Sequence, residues 1–177
     1  LGKKTYVMGI LNVTADSFFD GGKYNSPEKA VEHTKRMLTE GADIIDIGAE
    51  STRPNSVPID PKIQIERLRP VLRNLPDFPI SVDTRSSEVA RFALDCGVKI
   101  INDVSGMNFD SKILDVVSEY QAGIVLQHST FKSEDRPNYN NIVEDVYKDL
   151  LKKSQVAQER GLKNIILDPG IGFGKSK

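Results

Sequence analysis

Short apolar runs recur along the chain, and each gives way to a cluster of polar side chains. Val7–Leu11 runs into Asn12-Val-Thr-Ala-Asp-Ser, Ile44–Ile47 into Glu50-Ser-Thr-Arg, and Ile80–Val82 into Asp83-Thr-Arg. Ile100–Ile101 then leads to Asn102-Asp-Val-Ser, Ile124–Leu126 to Gln127-His128-Ser, and Ile165–Leu167 to Asp168-Pro-Gly. Runs this short and this rich in β-branched residues predict strands buried on both faces. The stretches between them show the apolar spacing of amphipathic helices, so the whole reads as alternating strand and helix around a parallel sheet.

The predicted strands are roughly Tyr6–Thr14, Asp43–Ala49, Pro79–Thr84, Lys99–Ser105, Gly123–Ser129 and Asn164–Gly170. Ser26-Pro27-Glu28 carries an N-cap, a first-turn proline and a first-turn acid, and so opens the first helix, which Gly41 ends. A second helix runs through Ile63, Ile65, Leu68, Val71 and Leu72. The third covers Ser86–Asp95 and is closed by Gly97, and the fourth covers Ser111–Glu119. The longest, about Ile142–Arg160, stops at Gly161. This rhythm predicts a (β/α) barrel, in which chemistry gathers at the carboxyl ends of the strands.

At 177 residues the chain is expected to form one domain, residues 1–177. A complete eight-unit barrel takes about 250 residues. The chain is therefore expected to hold about six βα units and to be incomplete at its carboxyl end. A formal net charge of −1 offers no basic footprint for nucleic acid or an anionic membrane. The apolar stretch Tyr6–Val13 is too short for a membrane span, and the single Cys96 fits a reducing compartment. A cytoplasmic protein acting on small molecules is the resulting expectation.

Asn12, Asp83, Asn102 and Asp168 each follow an apolar run. Any one of them alone could be a turn cap, since Asp and Asn bond backbone amides readily. Four at one barrel mouth point instead to a binding site, because clustered carboxylates need a partner. Two carboxylates and an Asn suit a ligand rich in N–H donors, such as an aminopyrimidinone. Glu50-Ser51-Thr52-Arg53-Pro54 adds hydroxyls and a guanidinium that suit phosphate or carboxylate. Gly170–Ser176 resembles a phosphate-binding P-loop, but Pro169 stands where that motif requires its first Gly. Its glycines are read as allowing backbone close to a flat ligand, with Phe173 alongside. His33 is expected on a helix flank, and His128 at a strand end could line the pocket. Asp43 and Asp46 fall within the second strand, and Asp46 is read as buried, hydrogen-bonded and structural. No nucleophile pairs with a base.

Several stretches together resemble the dihydropteroate synthases, a folate-pathway family built on a TIM (β/α)8 barrel. They are MGILNVTADSFFDGG (8–22), DIIDIGAESTRP (43–54), SVDT (81–84), INDVSG (101–106) and the ILDPGIGFGK region ending at Lys175. The resemblance implies condensation of 7,8-dihydropterin-6-ylmethyl diphosphate with 4-aminobenzoate, giving 7,8-dihydropteroate and diphosphate. It implies substrate-binding roles for Thr52, Arg53, Asp83, Asn102, Asp168, Gly172 and Phe173. Asp83 and Asp168 would also act in catalysis, and Asn12 would meet Mg²⁺. It further implies a mobile first loop at Thr14–Gly22 and a homodimeric whole protein. Departures from the family pattern are Ala15 for Pro, Phe19 for a small residue, and Ala49 and Asn55 for glycines. Gln127 stands in place of an apolar pterin-floor residue, and Ser129-Thr-Phe in place of a Met-Arg-Gly-like turn. The family's Ser-Arg-Lys and Arg-x-His motifs would lie beyond Lys177. Two other readings remain open: a non-catalytic pterin-binding fragment or homologue, and a folate–corrinoid methyltransferase. The latter is expected to lack the loops at Thr14–Gly22 and Glu50–Pro54.

Overall fold

The computed structural model describes residues 4–13, 27–51, 58–129, 139, 141–173 and 175. Six strands alternate with five helices among them. In chain order they are β1 (Met8–Asn12), α1 (Pro27–Thr39), β2 (Ile44–Gly48), α2 (Pro61–Leu72), β3 (Ile80–Asp83) and α3 (Ser87–Asp95), then β4 (Ile100–Asp103), α4 (Ile113–Glu119), β5 (Gly123–Gln127), α5 (Ile142–Glu159) and β6 (Asn164–Asp168). All neighbouring strands pair in parallel and in strict sequence order, β1 through β6. A doubly wound sheet reverses its order at a switch point, whereas a singly wound barrel never does. The architecture is thus a six-unit arc of a (β/α) barrel, as the sequence pattern predicts.

Local chemistry accounts for the helix boundaries. Asp60 accepts a hydrogen bond from the Lys62 amide at 2.8 Å and Pro61 follows it, so α2 starts two residues before the predicted apolar run. Asn141 caps α5 by accepting from the Glu144 amide. Gly41, Gly97 and Gly161 all take positive φ just past their helices, where a Cβ would be strained. Each strand ends one or two residues earlier than predicted, as ladders end before the polar turns do; β1 to β4 also start one or two residues later, and β5 and β6 start where predicted. Asp43 lies outside β2, contrary to expectation. It accepts from Lys4 Nζ at 2.6 Å and from the Val7 amide, tying the amino-terminal segment to the start of β2.

Side-chain alternation splits each strand between two layers. Ile45, Ile47, Val82, Ile101, Ile124 and Leu126 face the helices and are fully buried there with Leu68, Val71, Val89, Ile113, Leu114 and Val117. Gly9 faces that layer too. A Cβ on it would lie 2.9 Å from the Met37 sulfur on α1, so its smallness lets α1 pack against β1. The opposite set, including Asp46, Asp83, Asn102 and Asp168, faces the barrel interior. The helix-facing layer forms the apolar core, and the interior layer carries Asp46, Asp83, Asn102 and Asp168.

Candidate active site

The strand register arranges the predicted residues in tiers. Asn12 pairs with Gly48, Gly48 with Asp83, and Asp83 with Asn102, so these four form one lateral row. Continuing that row gives Val125 and Ile166. Asp168 lies two residues beyond Ile166 and pairs with Gln127, which puts it one inward tier higher. The four residues singled out from sequence therefore do converge, on two levels. Gly48 matters to the lower level: its absent side chain leaves space about 3.5 Å from the Asn12 Oδ1 and 3.6 Å from the Asp83 carboxylate.

The electrostatics of this row are strained toward negative charge. Asp83 Oδ1 is sealed from solvent and has no hydrogen-bond partner among the described residues. Burial pushes the Asp83 carboxyl well above the ordinary carboxylate range, reinforced by the like charges of Asp46, Asp103 and Glu50 and relieved in part by Arg85. Burial raises Asp46 as well, against the pull of the Ser81 hydroxyl and the Asn102 amide. Asn102 donates from Nδ2 to Asp46 Oδ2 at 2.9 Å. That bond uses an amide proton and leaves the Asn102 side-chain oxygen available as an acceptor. Asp46, read from sequence as merely structural, is thus the anchor of a pocket residue.

Asp168 is set by its own turn. One carboxylate oxygen accepts from the Gly170 amide at 2.7 Å, and its backbone carbonyl accepts from the His128 amide at 2.8 Å. Gly170 takes φ +64°, and a Cβ there would lie 2.2 Å from the His128 carbonyl oxygen, so glycine is required. Phe173 donates its amide to the Gly170 carbonyl at 3.0 Å and closes the turn in which Gly172 has φ +89°. Gly172 and Phe173 therefore belong to the turn that carries the Asp168–Gly170 bond. His128 follows the inward-facing Gln127, so alternation turns its ring to the helix side, 6.1 Å from Tyr139; burial lowers its pKa, with the Lys175 ammonium adding to the shift.

The second loop is fastened at both ends, although Thr52 and Arg53 lie outside the described residues. Glu50 is buried, and its carboxylate accepts from Arg85 at 2.6 and 3.3 Å, from the Ile59 amide at 3.0 Å and from Gln64 at 3.4 Å. Arg67 donates to the Ala49 carbonyl at 2.9 Å. The Arg85 guanidinium also lies over the Phe109 ring at 4.5 Å. Sequence reasoning missed Arg85. Its only signal was a buried acid and a following basic residue on adjacent strand ends. The loop at Thr14–Gly22 also lies outside the described residues.

The end of β4 sends successive side chains to opposite layers. Asn102 faces the pocket, while Asp103 turns outward and accepts from the Ser105 amide, the Ser105 hydroxyl and the Met107 amide at 2.6 to 2.9 Å. At Gly106 a Cβ would stand 2.1 Å from the Gln127 carbonyl and 2.6 Å from Lys153 Nζ. Lys153, buried on α5, donates to that carbonyl at 2.9 Å and pairs with Asp149 at 2.7 Å. This brace under β5 had no counterpart in the sequence reading.

As for metals, no cluster of three His, Cys, Asp or Glu side chains able to hold an ion occurs among the described residues. The exposed Asn12 brings one neutral oxygen to the mouth beside Asp83. That donor set fits a hard cation that keeps most of its water or arrives with an oxyanion ligand. No helix among the described residues is long and apolar enough to cross a membrane.

Residues 8–177 match the family model described as "pterin binding enzyme". The chain is 42% identical to the dihydropteroate synthase of Clostridium beijerinckii, over 99% of this chain and 66% of that protein. Against the dihydropteroate synthase of Bacillus subtilis the identity is 47%, over 98% of this chain and 61% of the relative. Among solved structures, dihydropteroate synthase from Clostridium difficile in the presence of pteroic acid superposes with a TM-score of 0.88 at 42% identity, over 99% of this chain and 67% of that one. The Xanthomonas albilineans dihydropteroate synthase with 4-aminobenzoic acid gives 0.88 at 39%, over 98% and 64%. The chain spans just under two thirds of the length of these curated relatives.

Proposed function

The chain belongs to the pterin-binding enzyme family, and from that premise we propose that the protein carrying it is a dihydropteroate synthase. It would join 7,8-dihydropterin-6-ylmethyl diphosphate to 4-aminobenzoate in folate synthesis. The observation that carries this reading is the two-tier cluster of Asp83, Asn102 and Asp168 on the barrel strands β3, β4 and β6. A pterin ring presents several N–H donors along one edge, and two carboxylates with an amide oxygen supply matching acceptors. The likeness to structures that hold pteroic acid, 4-aminobenzoic acid and 7,8-dihydropteroate supports it.

In the proposed reaction the methylene C–O bond breaks, its electron pair leaves with diphosphate, and positive charge develops on the pterin-methyl group. Asp83 and Asp168 stabilise that charge electrostatically. The amine lone pair of 4-aminobenzoate then forms the new C–N bond, and the nitrogen loses a proton. No enzyme nucleophile takes part. A developing cation beside Asp83 adds to the counter-charge that Arg85 offers its buried carboxyl only in part. Thr52 and Arg53 would meet the diphosphate, and Gly172 and Phe173 would flank the ring. Mg²⁺, with Asn12 as its protein oxygen, would neutralise charge on the leaving diphosphate. The proposal extends to residues 1–177 as a single barrel domain, a cytoplasmic location and a homodimeric whole protein.

The test supplies the purified intact protein with both substrates and Mg²⁺ and follows dihydropteroate by mass spectrometry. Product formation is expected. Pterin binding without product would favour the non-catalytic alternative, and methyl transfer from a methylated folate to a corrinoid would favour the methyltransferase.

A further inference from the structure

Lys175 belongs to a Gly-Lys-Ser stretch that fails as a phosphate loop, and nothing in the proposed chemistry uses it. Its position is nevertheless specific. The side chain folds back so that Nζ donates to the His128 carbonyl at 3.0 Å and to the Phe173 carbonyl at 3.1 Å. The first acceptor ends β5 and the second closes the turn after β6, so one ammonium joins two adjacent strand ends. Gly170 lies directly beneath: a Cβ on it would come within 2.9 Å of Nζ. The same turn presents the Gly170 amide to Asp168 Oδ1 at 2.7 Å.

We propose that Lys175 is a positioning residue for pterin recognition, fastening the Gly170–Phe173 turn against β5 so that the Asp168 carboxylate and the Phe173 border hold their binding geometry. The proposal rests on reading this site as a pterin pocket. Three features support it. An ammonium bonded to carbonyls is a charge-assisted contact, stronger than a neutral one. The group is partly withdrawn from water, and burial pulls its pKa down while Asp168 and Asp149 pull it up, so it sits among the charges of this corner. Among the described residues, the turn it holds is otherwise closed by a single backbone–backbone bond, from the Phe173 amide to the Gly170 carbonyl. Without Lys175 the Gly170 amide would no longer be held opposite Asp168, and the carboxylate would be free to rotate away from the ring edge. Lys175 itself reaches carbonyls and not the ligand, so its effect falls on affinity for the pterin and not on the chemical step.

The experiment compares Lys175→Met and Lys175→Gln with the parent in the intact protein. Affinity for pterin-6-carboxylate is read by calorimetry, KM for each substrate by steady-state assay, and melting temperature in parallel. For Lys175→Met the expected result is a pterin affinity lower by roughly five- to tenfold, the loss of about one net hydrogen bond. The KM for the pterin diphosphate should rise likewise, while kcat and the KM for 4-aminobenzoate change little. Lys175→Gln, which retains a donor, should recover part of the loss. A folded Met variant with parental pterin affinity, whatever its melting temperature, would overturn the proposal. If the Met variant does not fold, parental affinity in the Gln variant would overturn it equally. A parent protein that fails to bind the pterin would overturn the functional reading as well, which separates the two failures.

Discussion

Asn102 on β4 reaches across β3 to donate its side-chain amide to Asp46 on β2, at 2.9 Å, in the tier just below Asp83. The bond orients an interior-facing amide with a neighbouring carboxylate one tier below. It also brings a second negative charge toward Asp83, whose carboxyl is raised partly by Asp46.

Asp46→Ala should therefore have two separable effects. Pterin affinity should fall by about 1 kcal/mol as Asn102 loses its anchor. The acid limb of the pH–activity profile should move to lower pH, because removing a like charge lets Asp83 ionise more easily. An acid limb that stays in place while affinity falls would show that Asp46 acts on Asn102 alone.

Asp83→Asn should abolish most activity yet raise stability at neutral pH. A carboxyl whose folded-state pKa lies above its unfolded value holds its proton more tightly when folded. Stability from that proton is present at low pH and is lost as pH rises from the unfolded value toward the folded one. Each unit of elevation corresponds to about 1.4 kcal/mol. The melting-temperature gain of the variant over the parent should accordingly be larger at pH 8 than at pH 5. Equal gains at both pH values would contradict the raised Asp83 carboxyl.

Arg85→Ala should destabilise the fold by about 3–5 kcal/mol, since it leaves the buried Glu50 carboxylate without its cation. Glu50→Gln should cost less, because the amide oxygen can still accept from Ile59 and Gln64. Chemical denaturation measures both. A loss below about 1 kcal/mol for Arg85→Ala would place this pair with surface ion pairs, which contribute little.

The barrel arc was legible in the sequence because its signal is repeated: six β-branched runs, each followed by a polar turn and an amphipathic helix. Asn12, Asp83, Asn102 and Asp168 were legible for the same reason, each marking a strand's carboxyl end. Their division into two tiers was not, because lateral register depends on pairing across strands that sequence spacing does not specify. Arg85 and Lys153 were invisible because their partners, Glu50 and the Gln127 carbonyl, lie 35 and 26 residues away. From sequence alone His128 could have lined the pocket; alternation past Gln127 turns its ring toward Tyr139. Thr52 and Arg53 rest on the family resemblance alone.

Asp168→Asn should weaken binding of a pterin by roughly 1.5–3 kcal/mol, the range for a hydrogen bond that loses its charged partner. Gly170 would still orient the side chain, so the loss reports charge and not misplacement. Calorimetry with pterin-6-carboxylate checks it, and near-parental affinity would remove Asp168 from the site.

Activity should require Mg²⁺ or a similar hard cation, and Asn12→Ala should raise the Mg²⁺ concentration for half-maximal rate. An enzyme indifferent to EDTA would contradict the role given to Asn12.

The most direct test of the central claim is the stoichiometry of a single turnover. Intact protein in excess over 7,8-dihydropterin-6-ylmethyl diphosphate is mixed with 4-aminobenzoate and Mg²⁺, and diphosphate and dihydropteroate are quantified in the same quenched samples. Diphosphate and dihydropteroate appearing one for one, with both slowed in step by Asp83→Asn, is the predicted result. Diphosphate release without dihydropteroate, or neither product from a protein that binds the pterin, would contradict it.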